Sequence, residues 1–139
     1  MTIRPWWILE AVAFEYATYL RAMHRLHPGV DFASARVIGG GARSALWNSI
    51  KADVLGMPVE RITLDETATR GAALLAASAV GLLDDLAGVA ADVPTADRVE
   101  PDASRHERYA GLVDRYDGIT GMLLAHQETL DPIERSLVR

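Results

Sequence analysis

Three consecutive glycines, Gly39–Gly41, separate a short run that ends in the β-branched residues Val37 and Ile38 from a segment with helical periodicity. Glycines in series are unfavourable inside a helix or a strand because the backbone loses much conformational entropy there. The pattern therefore predicts a strand, a glycine turn and a helix that begins at Ser44, a residue type preferred as an N-cap. Backbone N–H groups and the positive end of the helix dipole would face a nucleotide or another anion at such a turn. Taken alone, the glycines favour the simpler alternative, a tight turn that binds no ligand.

The turn matches neither of two common nucleotide-binding motifs. The Gly-x-Gly-x-x-Gly pattern of dinucleotide-binding folds is absent, and no Gly-Lys-Ser/Thr sequence follows the glycines as it does in a P-loop. Ser44 also lacks the Gly-x-Ser-x-Gly setting of a hydrolase nucleophile. A helix cap is therefore the favoured role for this serine.

Helical and strand-like segments alternate along the chain. Helices are expected over residues 6–26, 44–55 and 66–83 and from Ser104 onward, and strands over 34–38 and 59–64. The connection over 84–103 is expected to be mostly irregular, with room for a short extended piece. Alternation of this kind is typical of an α/β fold in which helices pack on a sheet. Two strands are too few for a stable sheet. Either some strands escape the pattern, or further strands belong to a segment that this chain lacks.

The charge and the cysteine content exclude several classes of function. The formal net charge is −5 and Lys51 is the only lysine, so the clustered positive charge of a nucleic-acid-binding protein is lacking. The chain has no cysteine, which excludes disulfides, cysteine-ligated zinc and thiol nucleophiles. No apolar run reaches the roughly 18 residues of a membrane span. We therefore expect a cytoplasmic protein that binds neither nucleic acid nor a membrane.

The glycine turn lies within a longer motif that resembles a known family. The segment from Gly39 to Val59 has the sequence Gly-Gly-Gly-Ala-Arg-Ser-x-x-Trp-Asn-x-x-x-Ala-Asp-x-x-Gly-x-Pro-Val. It is similar to the adenosine motif of FGGY carbohydrate kinases. Its residues are most similar to those of the xylulokinase-like members. Further segments resemble the family in the same order: Glu10–Phe14, Gly71–Ala76, Gly81–Asp85, Glu100–Asp102, Tyr109 and Tyr116. The resemblance extends over about residues 8–125.

The resemblance implies where this chain belongs in a larger fold. FGGY kinases have two actin-like domains with ATP and sugar in the cleft between them, and this chain corresponds to the end of the second domain. The expected fold class is therefore α/β, as part of an actin-like ATPase (ribonuclease H-like) domain. Residues 8–127 are expected to form this domain fragment and 128–139 a frayed tail. Residues 1–7 depart from the family pattern, since Trp6 stands where Arg is usual.

The same resemblance implies a nucleotide site and a reaction. The residues expected to bind ATP or ADP are Gly39, Gly40, Gly41, Ala42, Arg43 and Ala45. Family members transfer the γ-phosphoryl group of Mg-ATP to a hydroxyl of a sugar or polyol, and the motif favours xylulose, with gluconate and glycerol as further alternatives. The family's phosphate loop, sugar contacts and catalytic aspartate lie upstream of the matching segments, so no residue here is assigned as catalytic. A missing N-terminal kinase domain is accordingly expected as the partner, and the chain alone is expected to be inactive.

Other polar residues have simpler explanations than chemistry. His24 and His27 lie three residues apart at a helix end, where the helix dipole favours cations and where a third metal ligand is lacking. Asp84 and Asp85 are expected to be solvated loop residues. We therefore expect no metal site in this chain.

Two polar features are expected to support helices. Asp53 is expected to cap, to pair with Arg43 or Lys51, or to face solvent. Ser104-x-x-Glu107 has the form of a capping box at the start of the last helix. Neither feature is assigned a catalytic role.

Two other functions stay open on the sequence alone. The chain is also consistent with a non-catalytic remnant or assembly module that forms a homo-oligomer through apolar surface left exposed by truncation. A third hypothesis is a nucleotide-binding α/β domain outside the kinases. The match across Trp47, Ala52, Asp53 and Gly71 favours the kinase family over this last hypothesis.

Overall fold

The computed structural model describes residues 6–64, 66–91 and 93–137. In chain order the elements are helix α1 (Trp6–Leu26), strand β1 (Ala35–Val37), a short 3-10 helix (Gly40–Arg43), α2 (Ala45–Leu55), β2 (Val59–Ile62), α3 (Thr67–Ala79), α4 (Leu86–Ala91), β3 (Thr95–Val99) and α5 (Ala103–Leu137). The predicted first helix, second helix and both predicted strands are confirmed to within two residues at each end. Within the described ranges, no helix is both long and apolar enough to cross a membrane.

The three strands form one mixed sheet in the order β1-β2-β3. β1 and β2 run parallel, with Ala35 opposite Val59, whereas β2 and β3 run antiparallel. α2 lies in the crossover that a parallel pair of strands requires. β2 is therefore the central strand, and in the described part of the chain β1 pairs along one edge only.

The connection over 84–103 is more regular than predicted: β3 agrees with the short extended piece expected there, whereas α4 was not predicted. Four of the five residues of β3 are exposed, so the strand lacks the apolar alternation by which strands are recognised. Its pairing with β2 is what makes it a strand. Asp84 and Asp85 are exposed loop residues, as predicted, and Asp85 Oδ1 also accepts a hydrogen bond from the Gly88 N–H at 2.8 Å at the start of α4. α3 ends at Ala79 and not at residue 83.

The start of α5 is capped by a residue other than the predicted one. Asp102 Oδ1 accepts hydrogen bonds from the Arg105 N–H and the Ser104 hydroxyl, each at 2.9 Å. The predicted capping box of Ser104 and Glu107 is therefore wrong, and Asp102 fills the N-cap role. The Arg105 N–H and the Ser104 hydroxyl lower the pKa of the Asp102 carboxyl.

The far end of α5 bears on the predicted domain limits. The helix continues to Leu137, through most of the segment predicted as a frayed tail from residue 128. Residues 138–139, and residues 1–5 of the segment that departs from the family pattern, lie outside the described residues. The domain limits given by the sequence therefore stay a prediction.

The core lies where α1, α2 and α5 meet. Its buried apolar side chains are Ala13, Ala17, Ile50, Val54 and Val113. The Phe14 ring packs beside Tyr109 and Tyr116, with centroid distances of 6.0 and 5.7 Å. Such aromatic contacts add to the burial of apolar surface. This packing fixes α2 in place and, with it, the glycine turn that precedes the helix.

Candidate functional site

The turn after β1 has a conformation that glycine permits. Gly39 has φ 80°, in the left-handed region that side chains with a Cβ disfavour. The next residues, Gly40–Arg43, form a 3-10 helix, and the Ala42 N–H donates to the Gly39 carbonyl at 3.1 Å. The sequence predicts the glycine turn but not this helical form of it.

Both ends of α2 are capped, and the predicted N-cap at Ser44 is confirmed. Ser44 has extended backbone, and its Oγ accepts a hydrogen bond from the Trp47 N–H at 3.2 Å. Gly56 ends the helix in the left-handed conformation with φ 68°, and its N–H donates to the Ala52 carbonyl. The positive end of the α2 dipole therefore lies at the glycine turn. An anion placed there would meet backbone N–H groups.

Asn48 ties the turn to α2, a role that sequence reasoning missed. Its side chain is buried, and Nδ2 donates a hydrogen bond to the Ala42 carbonyl at 2.8 Å. Oδ1 is buried and has no hydrogen-bond partner among the described residues. The amide stands four residues after the cap at Ser44, which is one helical turn. That spacing is the signal from which its reach back to the turn could have been expected.

Of the six residues predicted to bind nucleotide, five lie on this turn and Ala45 is the first residue of α2. The exposed members are Gly39, Gly40, Gly41, Arg43 and Ala45. Ala42 is buried at 3% exposure, so it offers its backbone and not its side chain. A Cβ at Gly40 would meet nothing within 4 Å, so the backbone there is open to a ligand. Nucleotide binding by these residues stays a prediction.

A cleft of about 690 Å³ opens beside the turn. Its walls include Tyr16 and Met23 of α1, the segment 34–38, and Trp47 and Lys51 of α2. Of the six residues predicted to bind nucleotide, Gly41 and Ala42 line the cleft and the other four do not. The turn therefore has an open outer face and an inner face on the cleft.

Lys51 is a largely buried residue on the wall of this cleft. Its exposure is 4%, and Nζ lies 4.8 Å from the centroid of the Trp47 ring. Burial lowers the pKa of the Lys51 ammonium group, because the charged form loses water. The contact with Trp47 is a cation–π interaction, which stabilises a desolvated ammonium in part.

Asp53 anchors α2 to the start of α5. Its carboxylate is buried, and it accepts hydrogen bonds from the Asp102 N–H at 2.8 Å and from Arg105 Nε at 2.6 Å. His106 Nδ1 lies 2.9 Å from the Asp53 carbonyl oxygen. The hydrogen bond to Asp53 raises the pKa of the Arg105 guanidinium. The predicted partners of Asp53, Arg43 and Lys51, are therefore wrong, and the carboxylate has a structural role.

Tyrosines of α5 hold α1 through carboxylates. The Tyr109 hydroxyl donates to Glu10 Oε1 at 2.7 Å, and the Tyr116 hydroxyl donates to Glu15. Burial, together with the hydrogen bond to Glu10, raises the pKa of Tyr109 to about 12. These contacts lie on the face of α1 that packs against α5. They therefore stabilise the packing of α1 on α5 and do not involve the glycine turn.

One histidine of the pair contacts an aromatic ring. His24 packs against Phe32, with ring centroids 5.1 Å apart. Across the described ranges, no group of three or more His, Asp or Glu side chains is placed to hold a metal ion. The glycine turn presents backbone N–H groups and the positive end of a helix dipole.

The chain is similar in sequence to carbohydrate kinases. The sequence model of the FGGY family of carbohydrate kinases, C-terminal domain, matches residues 7–80, just over half of the chain. A glycerol kinase from Dechloromonas aromatica (strain RCB) is 41% identical over 106 residues, which are 76% of this chain and 21% of that protein. An autoinducer-2 kinase from Enterobacter sp. (strain 638) is 33% identical over 92 residues, which are 66% of this chain and 17% of that protein.

Solved structures of xylulose kinases share the fold. The enzyme from Lactobacillus acidophilus matches with a TM-score of 0.69 at 21% identity, over 85% of this chain and 24% of that one. The enzyme from Rhodospirillum rubrum matches with a TM-score of 0.62 at 28% identity, over 90% of this chain and 24% of that one. The predicted fold class, α/β within an actin-like ATPase domain, is confirmed. The chain spans about a sixth to a quarter of the length of these relatives.

Proposed function

The chain belongs to the FGGY family of carbohydrate kinases, and on that premise we propose that it is the nucleotide-binding end of an ATP-dependent carbohydrate kinase. The observation that carries the proposal is the glycine turn, whose exposed backbone leads into the capped N-terminus of α2. Backbone N–H groups and the helix dipole at this place favour a phosphate-bearing ligand. Gly40 has open space where a side chain would stand, which suits close approach of an adenosine.

The proposed reaction is transfer of the γ-phosphoryl group of Mg-ATP to a hydroxyl of a sugar or polyol in the cytoplasm. Mg²⁺ would be held mainly by the nucleotide phosphates, as is usual for this ion. An N-terminal kinase domain would supply the catalytic base and the sugar contacts, so the chain alone is expected to be inactive. We propose xylulose as the substrate from the motif, and the xylulose kinases of similar fold support it. The identity with a glycerol kinase supports glycerol as a second candidate.

Binding of ADP tests the nucleotide site directly. In a two-dimensional amide NMR titration of the full chain with ADP and Mg²⁺, we expect shifts confined to the peaks of residues 39–45. A dispersed spectrum without shifts at millimolar ADP would rule out nucleotide binding by this chain. The titration requires neither a sugar nor the catalytic residues, so it tests the site apart from the whole reaction.

A matched pair of glycine variants sharpens this experiment. Gly40→Ala and Gly29→Ala each place a methyl group where no atom lies within 4 Å, so both chains should fold. Gly40→Ala is expected to weaken ADP binding about tenfold, which corresponds to about 1.4 kcal/mol, because the methyl group occupies the ligand's approach. Gly29→Ala should bind as the parent chain does. Equal ADP affinity in both variants would contradict a site at Gly40.

A second candidate function is a non-catalytic module that self-associates. The exposed apolar side chains of α1 favour it, among them Ile8 at 71% and Tyr19 at 59% exposure. Surfaces of this kind mark association sites. Light scattering over a range of concentrations tests the idea, and a monomeric mass at the highest concentration would exclude it.

A further inference from the structure

Helix α5 has a second face besides the one that packs on α1. Tyr109, Val113 and Tyr116 belong to the packed face. On a different face, exposed residues recur at intervals of four and three residues up to Met122, next to which Leu123 is also exposed. Because an α-helix makes one turn in 3.6 residues, these positions form one line along the helix. This outer stripe consists of Arg108, Leu112, Arg115, Ile119, Met122 and Leu123.

The apolar part of the outer stripe is open to solvent. Ile119, Met122 and Leu123 are each more than half exposed. In the sequence, Leu130, Ile133 and Leu137 continue the same spacing to the end of α5. Apolar residues repeated in this way over several turns are typical of helices that pair along their length. The family model matches residues 7–80, so the outer stripe lies beyond that match.

The charges are distributed unevenly along α5. The outer stripe carries its cations, Arg108 and Arg115, in the first half of the helix. The segment 128–134, near the other end, has three acidic residues and no basic one in its sequence. Two such helices are complementary when they run antiparallel, because the basic part of each then lies beside the acidic part of the other. In a parallel pair each arginine would instead face its own counterpart, which reduces affinity.

We propose that the outer stripe of α5 binds a second copy of this chain in an antiparallel dimer whose two-fold axis passes near Gly121. Paired positions then lie equally far on either side of the axis. Ile119 of each copy is level with Leu123 of the other, so their exposed apolar side chains cover one another. Arg108 is level with position 134, which is a glutamate in the sequence. The inference goes beyond the proposed nucleotide site and does not depend on it.

A second copy fits this face better than a segment from elsewhere in a kinase does. A two-fold interface uses the same patch on both partners, so the patch must be complementary to itself. α5 meets this requirement, because it supplies both the apolar repeat and the acids that the two arginines need. An unrelated segment would have to carry acids at the spacing of Arg108 and Arg115 on its own account.

Sedimentation equilibrium of the full chain tests the dimer. We expect a monomer–dimer equilibrium whose dissociation constant rises about tenfold or more in Ile119→Glu, because each copy would then bury a carboxylate among apolar side chains. Leu75→Glu in α3 is the matched control and should dimerise as the parent chain does, since Leu75 is 61% exposed and Ile119 is 54% exposed. Circular dichroism establishes that both variants stay folded.

A third variant separates this dimer from association through α1. Tyr19 lies on the exposed apolar face of that helix and is 59% exposed. Tyr19→Glu should leave the dissociation constant unchanged if α5 forms the interface. Dissociation by Tyr19→Glu but not by Ile119→Glu would place the interface on α1 and overturn the proposal.

Distances between spin labels determine the direction of the two helices. The chain has no cysteine, so Gly118→Cys and Glu107→Cys each place one label per copy at an exposed position beside the outer stripe. With an axis at Gly121 and a rise of 1.5 Å per residue, the two labels are offset along the helix by about 9 Å at position 118 and about 42 Å at position 107. A parallel pair would give short distances at both positions.

Three further results would overturn the proposal. They are a monomeric mass at the highest concentration, a dimer that Ile119→Glu leaves intact, and equally short label distances at positions 107 and 118. The NMR titration with ADP is a separate experiment, because residues 39–45 lie outside α5. The dimer and the nucleotide site can therefore fail independently.

Discussion

Helices α2 and α3 each follow a strand and end near a glycine in the left-handed conformation. They differ in how much of each helix is buried and in how its N-terminus is capped. Six of the 11 residues of α2 are buried, whereas none of the 13 residues of α3 is. Ser44 caps α2 with its side chain, but Glu66 at the start of α3 makes no side-chain cap. The Asp53 carboxylate further joins α2 to α5.

The difference shows which part of the chain is fixed by its own contacts. Most of the stability of a short helix comes from tertiary packing and little from propensity. α2 has such packing on α1 and α5, so the glycine turn in front of it is held at one place. The small side chains of α3, from Gly71 to Ala77, leave a helix face that is suited to close approach by a neighbour. The proposed nucleotide site therefore lies at the N-terminus of α2, the better packed of the two helices.

The largest expected effect comes from removing a core side chain of α2. Ile50→Ala should lower the free energy of unfolding by about 3 to 4 kcal/mol, because Ile50 is 6% exposed and the shortened side chain leaves a cavity in the core. Leu75→Ala is the matched change in α3, where the side chain is 61% exposed, and should change it by less than about 0.5 kcal/mol. Urea unfolding of both variants measures the contrast. Similar losses in the two would show that α3 packs as tightly as α2.

The C-terminal glycines allow a second comparison. Gly56→Ala combines a left-handed φ of 68° with a Cβ that would lie 2.4 Å from a ring carbon of His106. Gly81→Ala has a similar φ of 75° and nothing within 4 Å. We expect losses in the free energy of unfolding of about 2 kcal/mol or more at Gly56, and of about 1 kcal/mol at Gly81, where backbone strain acts alone. Equal losses would mean that the His106 ring moves aside at no cost.

Local chemistry explains what the sequence could predict. The cap at Ser44 and the terminator at Gly56 depend on contacts three or four residues away, so their patterns are visible in the sequence. The limits of α1 follow from its apolar spacing for the same reason. The glycine turn was also predictable, because strand, glycines and helix follow one another directly. These local features fix the candidate nucleotide turn but not its surroundings.

Long-range contacts explain what the sequence could not predict. The partner of Asp53 is Arg105, which is 52 residues away, so no local pattern indicates it. β3 becomes a strand by pairing with β2, although its own residues are mostly exposed. The cleft is formed by α1, β1 and α2 together, and its buried Lys51 shows no distinctive sequence pattern. Each of these features depends on the tertiary fold.

The smallest expected change in the free energy of unfolding comes from the first residues of the two helices. This pair of variants compares α2 with α3 at their N-termini, and the N-terminus of α2 is where the proposed nucleotide site lies. Ser44→Ala removes the acceptor of the Trp47 N–H and should lower the free energy of unfolding by about 1 kcal/mol. Glu66→Ala, at a start without a side-chain cap, should change it by less than about 0.5 kcal/mol. Both values come from urea unfolding. A loss at Glu66 as large as that at Ser44 would mean that α3 also depends on its first residue, and that the glycine turn has no special local support.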